Sequence, residues 1–463
     1  MPDRVVVVGA GASGTLAAIH LLRANASLEL VLVDRSGEFG PGRAYRTGDP
    51  GHLLNTAAGK MSALDDDPGH FARWSGASAE EFLPRGEYGR YLAETLRAEE
   101  ERAAARQVTD AATGSGAAAS GTATRHASGT ATTPTRPSNG TLVRHIADTA
   151  TRITSSPAGV TVELARTGPV HADFAVLAPG VGSGNPLAGL LPEDSPRYVA
   201  DPWAGPLPHT GGAPVLVLGT GLSMMDVSVA VARDSVVHAV SRHGLLPQPH
   251  HRRPGPAPSL PDPPRRGSLS ELMRFVRRSI SADPDRWRDV VDQLRPHTHQ
   301  LWRQLDVPER RRFLDRVGHY WNVHRHRAAP TTHRRVRRLM DEGRVKLHRG
   351  QVTAVRPTEE GFQVDLTGSR TLTVGWLVNA TGFRQDGPLV RGLVADGTAR
   401  PDPIGLGVRT GGGGRVLDED GVPCRIFTLG ALRRGELFES TAVPEIRAQA
   451  AEIAATVAAH RTR

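Results

Sequence analysis

The chain has a single cysteine, Cys424, in 463 residues. An intrachain disulfide is therefore excluded, and so is a Cys-x-x-Cys redox pair. Lysine is almost as scarce. Of the 57 lysines and arginines, only Lys60 and Lys346 are lysines. The formal net charge of +9 is thus nearly all arginine, and most arginines sit solvated at a surface. Zinc-finger spacing, a basic zipper and an RNP-like aromatic run are all missing, so nucleic acid is not the expected partner. An anionic small molecule explains a local basic excess equally well. Long apolar runs are missing too. The stretch from Val5 to Leu22 is broken by Gly9, Gly11 and Gly14 and does not read as a membrane span. Met1-Pro2-Asp3-Arg4 leads directly into a strand rather than into a signal peptide. A cytoplasmic location is the default expectation. No catalytic triad and no paired-carboxylate motif stands out.

What is present is globular text, 38% hydrophobic and 23% charged, long enough for two or three domains. Val5-Val6-Val7-Val8 reads as a fully buried parallel strand. Ser13 to Arg23 reads as a helix, and Leu28 to Val33 as the next strand. Between the first strand and the helix lies Gly9-Ala10-Gly11-Ala12-Ser13-Gly14, a GxGxxG loop in the context that dinucleotide binding requires. Gly9 allows the tight turn, and Gly11 lets the backbone approach a pyrophosphate. Gly14 permits close helix–strand packing. The helix N-terminus then offers free N–H groups to the phosphates. Asp34 ends the second strand, where a ribose-binding acid is expected, with Arg35 beside it.

A second unit begins at Pro214. Gly219-Thr220-Gly221-Leu222-Ser223-Met224 follows the strand Val215 to Leu218. Met224 replaces the third glycine, which departs from the fingerprint. The next strand ends on Ser241-Arg242, with no acid for a 2′-hydroxyl. Serine and arginine are the residues that a 2′-phosphate requires, so NADPH is expected over NADH. The plain alternative is that Arg242 is an ordinary surface arginine. With two such loops, FAD is expected at the first and NADPH at the second. Leu177-Ala178-Pro179-Gly180 and Asn379-Ala380-Thr381-Gly382 each end a buried strand on small residues, at the sheet edge where ligands bind.

The expected fold class is α/β: two Rossmann-like dinucleotide-binding domains, the NADP domain inserted in the FAD domain, with a helical basic insertion. The expected FAD domain is 1–205 and 351–463. The NADPH domain is 206–350, with a helical segment at about 269–338. From about 103 to 140 the text is Ala, Thr, Ser and Gly without periodicity and reads as a disordered low-complexity loop.

A series of local motifs runs along the chain: Gly42-Arg43-Ala44-Tyr45, His52-Leu53-Leu54-Asn55, Pro84-Arg85-Gly86-Glu87-Tyr88-Gly89-Arg90-Tyr91, Tyr320-Trp321-Asn322-Val323-His324-Arg325-His326-Arg327 and Gly435-Glu436-Leu437-Phe438-Glu439-Ser440-Thr441-Ala442-Val443-Pro444. This series resembles the bacterial FAD/NAD(P)-binding protein family. These are two-dinucleotide-domain flavoproteins related to N-hydroxylating monooxygenases and to the flavin enzymes that N-oxidise aspartate to nitrosuccinate in natural-product biosynthesis. The resemblance implies that Leu54, Asn55 and Met61 lie along the flavin and that Gly430, Thr441 and Ala442 close over its ring. The expected cofactor set also includes Ser13, Tyr45, Gly180, Ser223, Thr381 and Gly382. Phe71, Trp74 and Tyr88 are read as core packing.

The expected chemistry follows from both cofactors together. NADPH reduces FAD, a dithiol acceptor is excluded, and O2 is the remaining acceptor. A flavin C4a-hydroperoxide would then oxygenate a small anionic metabolite, amino-acid N-oxygenation being one case. Positioning and water exclusion would be the protein's part. His319, His324, Arg325, His326 and Arg327 form a dense cationic cluster. Arg325, Arg327 and His324 are the candidates to hold a substrate carboxylate, against the alternative of a solvated basic face. No metal site is expected, and a homodimer is left open. The competing readings are an FAD oxidase or dehydrogenase without oxygen insertion, and a non-catalytic flavin-binding protein.

Overall fold

The computed structural model describes residues 3–24, 28–114, 142–191, 194–251, 260–264, 267–281 and 283–460. A six-stranded sheet runs in the order Arg415–Leu417, Pro423–Thr428, Phe174–Leu177, Asp3–Val8, Leu28–Asp34, Leu142–Ala147. It is parallel except at its first pair. Val8 pairs with both Val33 and Leu177, so Gly9 leaves the sheet at its carboxyl edge. The valine run is buried on both faces, as a central parallel strand must be. Helices Ala12–Ala24, Arg85–Gly114 and Val443–His460 cover one face. Phe71 and Tyr88 are fully buried there and Trp74 packs against them, which is the core role expected. A small antiparallel sheet, Ala150–Ser156, Gly159–Leu164 and Val170–Ala172, contributes to the core on the other.

The second sheet is parallel throughout: Val345–Arg349, Val237–Ser241, Val215–Leu218, Trp376–Asn379, Tyr198–Val199. This corrects the expected boundaries at 205 and 350. Trp376–Asn379, expected in the first unit, pairs with Val215–Leu218, and Tyr198–Val199 forms the sheet's edge. The antiparallel strands Val352–Thr358, Gly361–Leu366 and Arg370–Val374 share the second sheet's core. The second unit therefore runs from about Tyr198 to Asn379. A four-residue apolar strand reads alike in either sheet, and only pairing distinguishes them.

The chain crosses between the sheets twice, and the crossings pair at Phe383↔Ser183 and Arg384↔Gly182. Asn379 ties them further. Its Nδ2 donates to the carbonyls of Gly184 and Ala200 at 2.8 and 3.0 Å. Its Oδ1 accepts from the Thr381 amide and hydroxyl.

The expected loop at 103–140 is corrected at its start. Helix Arg85–Gly114 continues past Ala103, which is buried against the first core. Alanine is the best helix former, and Arg106 Nη2 anchors the helix by donating to the Leu22 carbonyl at 2.8 Å. Residues 115–140 lie outside the described residues. A run of short helices from Leu269–Ser281 to Pro330–Asp341 interrupts the second unit. Its own small core of Leu269, Leu272, Trp302 and Leu305 includes Phe438 from the C-terminal segment.

Candidate functional site

One cavity of about 1440 Å³ lies between the sheets and takes lining from both glycine loops, both strand-end motifs, the helical insertion and the C-terminal segment. That exceeds the roughly 300–1,000 Å³ of a pocket for one small ligand.

At the first loop, Gly9 has φ +93°, and a Cβ there would meet the Ala178 carbonyl oxygen at 2.1 Å. A Cβ on Gly14 would meet the Gly9 oxygen at 1.9 Å. Gly14 does not line the cavity; it permits the helix to approach. Gly11 and Ser13 do line it, where helix Ala12–Ala24 starts with no acid in its first turn. The first amides of a helix lack intrahelical partners, so this end suits a pyrophosphate. Asp34 lines the same stretch. Its Oδ2 accepts from the Ala10 amide at 2.9 Å, and its Oδ1 accepts from the Ser36 amide and hydroxyl. A carboxylate has about four acceptor positions, so Asp34 shapes the loop and keeps capacity for a ribose hydroxyl. The residues fit an FAD at this end.

The second loop repeats the geometry. Gly219 has φ +101°, and a Cβ would meet the Ala380 oxygen at 2.4 Å. A Cβ on Gly221 would meet nothing within 4 Å, because Gly221 faces the open cavity. Met224, in the third glycine's place, is fully buried in the core of the second sheet. The departure from the fingerprint is absorbed by packing. Ser223, Ser241 and Arg242 line the cavity, and Arg242 is exposed. The arrangement fits a second dinucleotide.

Most of the other expected residues reach the same cavity: Arg35, Tyr45, Asn55, Met61, Gly180, Thr381, Gly382, Thr441 and Ala442. Two do not. Leu54 is buried in the first core and lies outside the lining, because its amide bonds the Leu83 carbonyl and turns the side chain inward. Gly430 is buried behind the lining, its amide donating to Gln449 Oε1 at 2.9 Å. Its neighbours Leu429 and Ala431 line the cavity instead.

The cationic cluster divides. Arg327 is 3% exposed and grips Asp292 with two bonds of 3.0 and 2.9 Å, while its Nε donates to the His324 carbonyl. Arg327 and Asp292 both line the cavity, and these bonds commit most of the Arg327 donors to structure. His324 bonds back to the Tyr320 carbonyl, stacks edge-on against Trp287 and does not line the cavity. Arg325 does line it. Arg325 Nη2 is 3.3 Å from Glu439 and 3.6 Å from Glu445, yet its Nε and Nη2 are buried without a hydrogen bond. Those donors can still take an oxygen ligand.

Sequence reasoning missed Glu439. Phe438 has φ +60°, outside the range most side chains adopt, and the Glu439 amide bonds the Leu437 carbonyl across it at 2.7 Å. This tight, strained turn carries Glu439 into the cavity lining. Trp321 Nε1 donates to Glu439 Oε1 at 2.8 Å. Burial alone would raise the Glu439 carboxyl, but His326, Arg325 and the Trp321 N–H outweigh it and hold it low. Burial also lowers His326. No spacing rule reveals a positive-φ turn at a phenylalanine, so Leu437-Phe438-Glu439 carries no sequence signal for it. Trp203 and Arg85 were missed as well, and both line the cavity.

Residues 6–136 match the FAD-NAD(P)-binding family model. This stretch, which holds the first glycine loop, is similar to FAD/NAD(P)-binding domains. No curated protein matches it in sequence. Among solved structures, the ornithine N-hydroxylase of Kutzneria sp. 744, with reduced FAD, NADP+ and L-ornithine, is 16% identical over 100% of both chains, with a TM-score of 0.62. L-lysine 6-monooxygenase from Pseudomonas syringae gives the same 16%, 100% coverage of both chains and 0.62. Bacillithiol disulfide reductase from Staphylococcus aureus is 12% identical over 100% of both chains, with a TM-score of 0.58. At such identities the likeness shows the fold: the α/β, two-dinucleotide-domain architecture. Among the described residues no cluster of His, Cys, Asp or Glu could hold a metal, and no helix is long and apolar enough to cross a membrane.

Proposed function

We propose that the chain is an FAD-dependent, NADPH-reduced monooxygenase of a small anionic metabolite, with amino-acid N-oxygenation as the leading case. The observation that carries this reading is that both glycine loops open on one continuous cavity, as hydride transfer between two dinucleotides requires. Solved structures of the same fold include ornithine and lysine monooxygenases. FAD, when bound, would accept the hydride and supply oxygen chemistry to the substrate.

The chain's own residues bind, orient and exclude water. Gly9 to Gly14 and the helix start hold one pyrophosphate, and Asp34 takes its ribose. Gly219 and Gly221 hold the second dinucleotide, with Arg242 at its 2′-phosphate. Arg325 offers its spare N–H groups to a substrate carboxylate and is oriented for that by Glu439 and Glu445. Phe438 and Trp321, packed together, help close this end against water. Cys424 lies outside the cavity lining, so a disulfide reduction through this thiol is disfavoured.

Purified protein should be yellow and should bleach with NADPH under anaerobic conditions. Product mass against candidate amino acids then decides the reaction class. Gain of one oxygen supports the proposal; loss of hydrogen alone indicates an oxidase or dehydrogenase. Absence of any bleaching with either coenzyme removes the enzymatic reading.

A further inference from the structure

The outer end of the second loop holds a stacked pair of histidines beside Arg242. Ser241 is committed locally: its hydroxyl bonds Thr220 Oγ1 at 2.8 Å and accepts from the Gly244 amide at 3.0 Å. It shapes the turn and presents Arg242 and His243, both exposed and both lining the cavity. Opposite them stands His319, from helix Gly318–Arg325 of the helical insertion, half-buried and also lining the cavity. The His243 and His319 rings stack with centroids 3.7 Å apart and planes 10° from parallel. Among the described residues, no carboxylate forms an ion pair with Arg242, His243 or His319. The other groups facing the pair are the Tyr320 ring, 4.2 Å from His319, and Arg349, whose Cβ packs beneath Gly244. Fixed and switchable positive charge thus converges, without a counter-ion, where the strand after the second loop ends.

We propose that His243 and His319 complete, with Arg242, a site for the 2′-phosphate of NADPH, and that the histidine pair takes up a proton as the dianion binds. This rests on reading the second loop as the nicotinamide-dinucleotide site. In the free protein a second positive charge on the stack is opposed. Burial, His243 and Arg242 all hold His319 below the ordinary histidine value. A phosphate dianion reverses that balance, because each ring edge can then donate a charge-assisted bond. Arg242 supplies the constant part of the attraction, and the pair supplies a part that strengthens as pH falls through the histidine range. The helical insertion thereby contributes to coenzyme choice as well as to the substrate wall.

The test uses 2′,5′-ADP as the probe, titrated calorimetrically into the full chain at about pH 6 and about pH 8. His319→Phe keeps a flat ring against His243 and removes the proton. It should weaken binding about tenfold at the lower pH and only about twofold at the higher, since a charge-assisted bond worth about 1.4 kcal/mol is tenfold. Arg242→Ala should weaken it at both. Because the phosphate itself titrates near pH 6, the ratio of variant to wild type at each pH is the quantity to read. 5′-AMP, which lacks the 2′-phosphate, should bind wild type and His319→Phe alike. An equal loss at both pH values, or an equal loss for 5′-AMP, overturns the proposal in favour of a stack that holds adenine or the fold. Flavin reduction by NADH alone also overturns it, while leaving the parent reading of a nicotinamide site intact. Reduction by neither coenzyme instead removes the parent reading.

Discussion

Replacing Arg85 by methionine should destabilise the protein by about 3–5 kcal/mol, the usual cost of removing one partner from a buried ion pair. Arg85 opens helix Arg85–Gly114 of the first unit, and Asp226 lies in helix Leu222–Val231 of the second. They meet at 2.8 Å with side chains only 15% and 5% exposed. Arg85 also donates to the Leu53 carbonyl at 3.1 Å and lies over the Trp203 ring. Burial pushes the Asp226 carboxyl up, while Arg85 and His52 pull it down. The folded protein therefore holds this proton more tightly than the unfolded chain does. That contribution is present below the unfolded carboxyl pKa of about 3.9 and is lost as pH rises through the folded value. Without Arg85 the folded value climbs further, so the loss should extend to higher pH. Urea unfolding followed by tryptophan fluorescence across that range measures both effects. The double variant Arg85→Met/Asp226→Leu should recover most of the stability, because no charge is then left buried without a partner. A cost for Arg85→Met below about 1 kcal/mol, where exposed pairs fall, would refute the claim that this pair joins the two units. So would a double variant no better than the single.

Three further outcomes follow from local geometry. Gly14→Ala places a methyl 1.9 Å from the Gly9 oxygen; the helix must move, and the purified protein should lose its flavin absorbance and about 1–3 kcal/mol in urea unfolding. His250 hydrogen-bonds the Asn55 carbonyl at 2.9 Å and is lowered to about 4, mainly by burial. Its contribution is present above the unfolded histidine pKa of about 6.5 and is lost as pH falls through about 4, so His250→Asn should flatten the acid limb of a stability–pH curve. Cys424 is half-buried, with its thiol donating to the Thr398 carbonyl. Cys424→Ser should leave NADPH-dependent flavin bleaching unchanged in stopped-flow traces, and loss of bleaching would implicate the thiol in the chemistry.

Both glycine loops were legible in the sequence because their chemistry is local. A turn with positive φ and a close backbone approach each demand glycine at fixed spacing. Gly9, Gly11, Gly219 and Gly221 occupy the positions such reasoning assigns. Arg325 and Arg327 were not separable, because two arginines two residues apart carry the same signal. What separates them is Asp292, 35 positions away along the chain, whose carboxylate takes up Arg327 and leaves Arg325 with spare donors. Glu439 was hidden for a related reason. Its place depends on a strained turn at Phe438 and on Trp321, which is 118 positions distant.

The sequence alone determined the α/β class, the two loops and the exclusion of dithiol chemistry, since each rests on residue type or short-range spacing. Tertiary structure alone decided which sheet receives Trp376–Asn379, since a short apolar strand satisfies either. It also extended the helix past Ala103 and brought His319 onto His243. Those outcomes depend on which distant surface offers hydrogen bonds or a packing face, and that is a property of the assembled sheets rather than of any segment.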